Sequence, residues 1–336
     1  MVKKVLKIAG VVLVLYSLII TLSTPLTPGV VDFEPARLDS GWNHVSFRFF
    51  PSIDANKPAH FYLKSDAAFL PIEGTISANQ FSGKVWVPDT LPKAFVHLAG
   101  QIGNSEMLYL DGASFAMHTA EGPWPTASPD WAEVHDPGMV FPFKTILYQT
   151  IRNLNLHVPM WFAMMALMLV SLIFSIRFLN TGNVHFDLRA KEAATVGLFF
   201  SIIGILTGAV WAKFTWGNWW VNDPKLNGAA VSTLVYLAYF VLRGSVKDDF
   251  KKGKLSGVYN IFAFIMMLVF IMVLPRLTDS LHPGNGGNPA FSQYDLDNNL
   301  RKAFYPAVLG WILMGIWISE VKGRVAVLRY NLDNEE

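Results

Sequence analysis

Cysteine is absent from this sequence of 336 residues, and charged residues are scarce. Without cysteine the chain has no disulfide, thiolate zinc site, iron–sulfur cluster, cysteine nucleophile or CxxCH attachment site. Charged residues make up 15% of the chain, against about a quarter in an ordinary soluble domain. The net charge of +2 is too small for a nucleic-acid-binding protein. Any metal or metal-containing cofactor must therefore be held by histidine, methionine or carboxylate side chains.

Apolar residues make up 52% of the chain, its mean hydropathy is +0.34, and they are concentrated in six runs. The runs are residues 5–23, 158–178, 194–214, 224–243, 258–275 and 303–319. Most approach the roughly 20 residues that a helix needs to cross a membrane. The sequence therefore predicts an α-helical integral membrane protein with six transmembrane helices. Residues 1–23 contain the first helix, and the absence of a small-x-small cleavage site after it predicts an uncleaved anchor.

Lysine and arginine residues predict the orientation of these helices. They gather at the N-terminus, in the loop between helices 2 and 3, in the loop between helices 4 and 5, and at the C-terminus. By the positive-inside rule, all four regions lie in the cytoplasm. Both termini are therefore predicted to be cytoplasmic, and residues 321–336 are predicted to form a cytoplasmic tail.

The outer segment between the first two helices is too long for a loop and predicts a domain. Extended runs separated by proline, glycine, asparagine and aspartate occupy residues 44–50, 60–63, 83–87, 94–98 and 107–110. This pattern predicts a small all-β, sandwich-like extracytoplasmic domain inserted between helices 1 and 2. The predicted domain occupies residues 24–145, including a proline-rich tether over 119–145. Residues 146–320 then form a domain of five helices.

The loop between helices 3 and 4 is rich in tryptophan. The interiors of helices 2 to 6 contain no Asp, Glu, Lys, Arg or His, which disfavours a pump or an ion-coupled transporter and directs attention to the outer loops. Four tryptophans fall within ten residues: Trp211, Trp216, Trp219 and Trp220. An aromatic belt at the membrane surface explains one or two of them. Four side by side favour a flat apolar surface on which a large planar ligand can stack.

Two histidines are predicted on the same outer face. His157 lies at the mouth of the second helix, and His282 follows the fifth. A single interfacial histidine is usually a polar cap, but two beside proline-stiffened turns suit a planar ligand with an iron centre, one imidazole on each side. Four nearby cations could pair with the carboxylates of such a ligand, or with lipid headgroups. They are Arg152, Lys213, Lys225 and Arg276.

These residues resemble the WWD family of haem-handling proteins of cytochrome c biogenesis. The string Trp216-Gly-Asn-Trp-Trp-Val-Asn-Asp-Pro-Lys225-Leu is similar to the family signature WGxWWxWDxRLT. Arg152 with His157-Val-Pro resembles the family's R-x4-H-V-P motif, and His282 occupies the place of its second outer-loop histidine. Six helices with the signature between the third and the fourth resemble the CcmC branch. The similarity covers about residues 146–320 and the first helix.

The resemblance implies a haem-handling protein of the bacterial inner membrane, not an enzyme, whose functional face is extracytoplasmic. It implies that non-covalent haem b is ligated by His157 and His282 and delivered to a periplasmic haem chaperone, with help from ATP-binding-cassette transporter subunits. By matched position, the haem platform would consist of Trp216, Trp219, Trp220 and Asp223. Arg152 and Lys225 would contact or support the propionates. Haem and membrane lipid are the implied ligands, and no nucleic acid is expected.

Two positions depart from the family pattern: Asn222 stands where the family has a third tryptophan, and Lys225 where it has arginine, which removes bidentate geometry. The insertion domain is not part of that pattern either. Two alternatives remain open. One is a WWD-type haem synthetase that joins haem directly to apocytochrome c, although such proteins carry histidines inside the membrane and these predicted helices have none. The other is a membrane-anchored sensor or interaction protein whose β domain binds a partner.

Overall fold

A computed structural model of the chain describes residues 2–105, 107–120, 129, 131–133, 138–144, 147–282 and 296–334. The chain divides into two compact units. Residues 24–149 form one unit, and residues 1–23 with 150–336 form the other. Much of the predicted tether over 119–145 lies outside the described residues.

Within the described ranges, six helical segments are long and apolar enough to cross a membrane, which confirms the number predicted from the sequence. The helices are α1 (Val2–Ser23), α2 (Leu154–Thr181), α3 (Val184–Trp216), α4 (Pro224–Ser245), α5 (Asp249–Leu268), α6 (Leu274–Leu277) and α7 (Asn298–Asp333). A 3-10 turn, Tyr148–Asn153, leads into α2. A π-helical turn, Val269–Val273, joins α5 to the short α6, so these three pieces together make the fifth segment.

Two helices extend well beyond their apolar runs. Helix α3 begins at Val184, where the side chain of Asn183 accepts a hydrogen bond from the backbone N–H of His185 and caps the helix. Helix α7 continues to Asp333, so most of the predicted tail over 321–336 is helical. Hydropathy detects the part of a helix that is apolar, and it misses a polar continuation of the same helix.

These extensions bring buried charges into the helical unit. Arg243, the last residue of the predicted fourth span, donates two hydrogen bonds to Asp187 of α3, at 2.6 and 2.7 Å. Glu192 is also buried, and Lys191 and Lys322 pair with it at 2.6 and 3.3 Å. Because each buried charge has a partner, the basic end of α3 and α4 is held together by ion pairs.

The other unit is all-β, as predicted, but it is not a two-sheet sandwich. Its strands are β1 (Gly29–Glu34), β2 (Arg37–Leu38), β3 (Gly41–Phe50), β4 (Ala59–Ser65), β5 (Ala68–Ser77), β6 (Gln80–Val87), β7 (Phe95–Ile102) and β8 (Leu108–Ala116). In the described part of the chain they form one eight-stranded sheet with the order β1-β3-β6-β5-β4-β7-β8-β2. Strand β1 also lies against β8, so the sheet curves back on itself like a barrel.

The strand pattern explains both the successes and the error of the sequence prediction. All five predicted extended runs overlap strands, to within one residue at their starts, because alternate residues such as Val45, Phe47 and Phe49 of β3 point into the apolar core. Three strands escaped detection, including β5, which contains Pro71 and Gly74. Alternation predicts that one face is buried, but it does not predict which strands pair.

Candidate functional site

The tryptophan-rich segment connects α3 to α4 through two well-defined helix ends. Helix α3 ends at Trp216, and Gly217 adopts the left-handed conformation, with φ of +79°, and donates its N–H to the carbonyl of Lys213. Helix α4 begins after Asp223, with Pro224 in its first turn. The segment between these ends is therefore fixed by an αL cap on one side and an N-cap on the other.

Asp223 does more than cap α4. Its Oδ1 accepts hydrogen bonds from the backbone N–H groups of Lys225 and Leu226, at 2.9 and 3.4 Å. Its Oδ2 accepts one from the N–H of Leu281 at 2.7 Å, and His282 Nδ1 lies 3.0 Å from Oδ1. The residue is only 1% exposed. Asp223 thus contacts His282 and ties the tryptophan-rich segment to the loop that follows α6.

The electrostatics of this pair favour an ionised carboxylate and a neutral imidazole. Burial raises the pKa of Asp223, but hydrogen bonds from the Ser280 side chain and the Leu281 backbone, with the nearby His282, lower it below its ordinary value overall. Burial, assisted by the charge of Lys225, lowers the pKa of His282, and Asp223 opposes this only in part. A carboxylate only accepts hydrogen bonds, so the neutral His282 donates from Nδ1 and carries its lone pair on Nε2.

His157 lies in the first turns of α2 and is held by α3. Its Nδ1 is 3.1 Å from Thr207 Oγ1. The rings of Trp161 and Trp211 stand edge-on to the imidazole, with centroids 6.2 and 5.8 Å away. A Cβ atom built on Gly208 would lie 2.7 Å from His157 Cε1, so only glycine leaves room for the ring. The ring is therefore confined on several sides.

The two imidazoles are close enough for the charge of one to act on the other. The ring of His282 also packs edge-on against Trp216, at 5.1 Å between centroids. Among the residues that the structure describes, the Nε2 atom of neither histidine has a hydrogen-bond partner.

Two further tryptophans of the segment have exposed side chains. Trp219 is 59% exposed and Trp220 is 42% exposed. Trp220 Nε1 donates to Asn227 Oδ1 at 3.2 Å, and Asn227 in turn donates to Asn222 Oδ1 at 2.7 Å. Asn222 therefore helps to hold the indole of Trp220 through Asn227.

The predicted cations have different surroundings. Arg152 donates to the carbonyl of Thr21 at 2.6 Å, and the ammonium of Lys213 donates to the carbonyl of Gly217 at 2.8 Å. Both interactions secure helix ends. Lys225 acts electrostatically on His282, which puts its charge near the imidazoles, and Arg276 is exposed in the last turn of α6.

Sequence reasoning did not identify Thr207, Gly208 and Trp161 as part of the site. Thr207 and Gly208 lie in the apolar run of α3, where threonine and glycine are common, and Trp161 lies one turn after His157. A signal was present only in the spacing: His157 and Trp161 are four residues apart on α2, and Gly204 and Gly208 are four apart on α3. Gly204 leaves room for Trp161 as Gly208 does for His157, since its ideal Cβ would lie 2.8 Å from Trp161 Cε2.

The chain is similar to known proteins mainly over its helical unit. The sequence model of the CcmC family, described as Heme exporter protein C, matches residues 139–336, more than half of the chain. Heme exporter protein C of Paracoccus denitrificans (strain Pd 1222) is 27% identical over 183 residues, 54% of this chain and 76% of that protein. Heme exporter protein C of Escherichia coli (strain K12) is 25% identical over 198 residues, 56% of this chain and 76% of that protein. Cytochrome c biogenesis protein CcsA of Prochlorococcus marinus (strain NATL1A) is 31% identical over 94 residues, 28% of this chain and 30% of that protein.

Proposed function

The chain belongs to the Heme exporter protein C family, and we propose that it binds haem between His157 and His282 and delivers it to a periplasmic haem chaperone during cytochrome c maturation. One observation carries the proposal. The two imidazoles come from different elements, each has its Nδ1 beside an oxygen atom, and neither Nε2 has a hydrogen-bond partner among the described residues. Metal-ligating histidines have this arrangement, in which the second ring nitrogen is fixed by an outer partner.

The side chains around the histidines suit haem in particular. Haem brings four equatorial nitrogens of its own, so two axial imidazoles complete its coordination. Exposed indoles of Trp219 and Trp220 offer apolar surface to a porphyrin plane, and the positive charge of Lys225 lies near His282, where it would attract a propionate. Because the chain has no cysteine, we expect non-covalent haem b.

We further propose that the site faces the periplasm and that the protein lies in the bacterial inner membrane. The site is at the C-terminal end of α3 and the N-terminal end of α4. The opposite ends of these helices carry Arg189, Lys191 and Arg243, and the C-terminal part of α7 is also basic. The positive-inside rule assigns those ends, and both termini, to the cytoplasm.

Haem handling, and not catalysis, is the role that the family names support. An exposed indole surface favours this role, because a ligand resting on Trp219 remains accessible to a receiving protein. We propose that ATP-binding-cassette transporter subunits of the maturation complex assist in the delivery. The assignment of haem as cargo means that the protein must both bind and release it.

Purification of the full chain in detergent from haem-replete cells tests haem binding. We expect a haem spectrum typical of two histidine ligands. His157→Ala and His282→Ala should each lower haem content and change the spectrum, because each removes an axial ligand. His185→Ala is the matched control, since His185 is also a helical-unit histidine, but bonds through Nε2 to Asn331 at the basic end of the bundle. A colourless protein, or site variants that resemble the parent in haem content and spectrum, would exclude the proposed site.

A second candidate is the haem synthetase activity that the sequence leaves open, which would attach haem directly to apocytochrome c; the chain is also similar to a cytochrome c biogenesis protein, CcsA. The two functions differ in where the haem goes. The haem-loaded chain is incubated with either a periplasmic haem chaperone or an apocytochrome c. Transfer to the chaperone alone supports delivery, and covalent haem on the apocytochrome without the chaperone supports the synthetase.

A further inference from the structure

We infer that Thr207 is a positioning residue that holds the imidazole of His157 with Nδ1 protonated and Nε2 free for iron, an inference that rests on the haem site proposed above. Thr207 lies on α3, and His157 lies on α2. The distance between Thr207 Oγ1 and His157 Nδ1 is 3.1 Å, a hydrogen bond between neighbouring helices.

The direction of this hydrogen bond follows from the single proton of the hydroxyl group. Thr207 Oγ1 lies 2.8 Å from the carbonyl of Ile203 and 3.1 Å from that of Gly204, and both carbonyls can only accept. The hydroxyl proton is therefore used within α3, and the lone pairs of Oγ1 remain for His157. His157 must then donate from Nδ1, which leaves the lone pair of its neutral ring on Nε2.

Thr195, on the same helix, is a comparison for Thr207. Its Oγ1 also donates to a carbonyl of the preceding turn, that of Lys191 at 2.9 Å, but among the described residues it has no hydrogen bond to a histidine. At Thr207 the same kind of bond to the preceding turn also orients the lone pairs toward α2. The backbone carbonyl of Thr207 accepts from Asn153 Nδ2 at 3.0 Å, which joins the two helices at this point a second time.

Loss of the Thr207 hydroxyl would change which ring nitrogen of His157 is protonated, but it would not move the imidazole ring. Trp161, Trp211 and Gly208 still confine the ring, but its Nδ1–H would face a methyl group in place of the hydroxyl oxygen, with the Gly204 carbonyl as the backbone acceptor that remains nearby. The tautomer with the proton on Nε2 then becomes competitive, and that proton must leave before Nε2 can bind iron. Removal of an outer partner of a metal-ligating histidine typically weakens metal binding by about 10- to 100-fold.

The experiment compares three variants of the full chain: Thr207→Val, which has nearly the same shape without a hydroxyl, Thr207→Ser, which keeps the hydroxyl, and Thr195→Val, the matched control on α3. The protein is labelled with 15N at histidine and purified without haem, and ring nitrogen shifts report which nitrogen of His157 is protonated. The His157 signal is assigned by its absence in His157→Ala. Each protein is then titrated with hemin, and the dissociation constant and the low-spin spectrum are recorded.

We expect Thr207→Val to lose the Nδ1-protonated form, to bind hemin about 10- to 100-fold more weakly and to show a high-spin fraction. Thr207→Ser and Thr195→Val should match the parent. If Thr207→Val keeps the parental tautomer and affinity, or if Thr195→Val loses as much affinity, Thr207 has no positioning role. A third outcome separates the two proposals: the parent has Nδ1 of His157 protonated, Thr207→Val loses this tautomer, and the parent binds no hemin. That result would refute the proposed function but support the positioning role of Thr207.

Discussion

Asp223 and His282 form one hydrogen-bonded unit, with His282 Nδ1 3.0 Å from Asp223 Oδ1, although 59 residues separate them in the sequence. The acidic residue of the tryptophan-rich signature therefore acts on a histidine from another loop. The same carboxylate caps α4 and binds the backbone of Leu281. A change at Asp223 in the signature segment should therefore affect a proposed haem ligand through this hydrogen bond.

Asp223→Asn should weaken haem binding by about 10- to 100-fold, because the carboxylate that orients His282 loses its charge. Asparagine is itself a good N-cap, so α4 should remain folded. A carboxylate partner raises the basicity of a ligating imidazole and stabilises ferric haem. The reduction potential of the remaining bound haem should therefore rise, as measured by redox titration.

Asp248→Asn is the control for this substitution. Asp248 caps α5 and accepts from the backbone N–H of Lys251 at 2.7 Å, but contacts no histidine. Its variant should keep the parental haem affinity and potential. Equal effects of the two substitutions would show that helix capping, and not the orientation of His282, explains the loss.

The pH dependence of haem binding should reflect the lowered pKa of His282. Only the neutral imidazole binds iron, and burial keeps the pKa of His282 below its ordinary value of about 6.5. Haem affinity should therefore be constant from pH 8 to about 6.5 and fall only as the pH drops further. Because Asp223 raises the pKa of His282, Asp223→Asn should shift this acid limit to lower pH. A hemin titration at each pH measures the pH below which haem affinity falls. If Asp223→Asn moved this limit to higher pH, Asp223 would not raise the pKa of His282.

The helical unit was largely predictable from the sequence, and the details of the site were not. Apolar runs of about 20 residues predict membrane helices because a helix of that length crosses the lipid core and satisfies its backbone hydrogen bonds within the one segment. The two histidines stood out because both are predicted on the same outer face, each beside a proline-stiffened turn. The sequence places Asp223 in the predicted haem platform, but a sequence motif does not reveal that its carboxylate accepts from the backbone of Leu281 and contacts His282.

Thr207 could not be predicted because its importance depends on a neighbouring helix. In an apolar run, a threonine that donates to its own helix is unremarkable, and Thr195 has the same local bond. Only the packing of α2 on α3 brings Thr207 to His157. The β domain shows the same limit, because alternation identified β3 and β6 but not the closure of the sheet by β1 and β8.

Gly208→Ala should disturb His157 directly. The added Cβ would lie 2.7 Å from His157 Cε1, and the ring has little space to move between Trp161 and Trp211. Overpacking of this kind costs about 1–3 kcal/mol. We expect weaker hemin binding and a partly high-spin spectrum. Gly244→Ala on α4 is the control, since nothing lies within 4 Å of its ideal Cβ, and a similar loss in that variant would implicate helix stability instead.

Trp219→Ala and Trp220→Ala should lower haem occupancy without changing the axial ligands. Each removes a large apolar surface, which should cost about 1–3 kcal/mol of haem binding free energy. The bound fraction should keep the spectrum of two histidine ligands, unlike the histidine variants. Trp42→Ala, at an indole that is 64% exposed in the β unit, should leave hemin affinity unchanged. A changed spectrum in the Trp219 or Trp220 variant would mean that these residues position a ligand.

Replacement of residues 30–140 by a short Gly/Ser linker should leave the helical unit folded and able to bind haem. The apolar core of the β unit and that of the helical unit share no residue, so removal of one takes no side chain from the other. The melting temperature of the helical unit and its hemin titration are the measurements.

Transfer of haem to the chaperone should fall in the same linker variant, because we predict that the β unit receives the partner. Its edge-on pair of Trp42 and Trp86, 64% and 54% exposed with ring centroids 5.7 Å apart, offers the aromatic surface that protein interfaces favour. The double substitution Trp42→Ser and Trp86→Ser should then reproduce part of the transfer defect with haem binding intact. If the linker variant delivers haem and matures cytochromes c as well as the parent, the β unit is a spacer, since no step of delivery then depends on its surface.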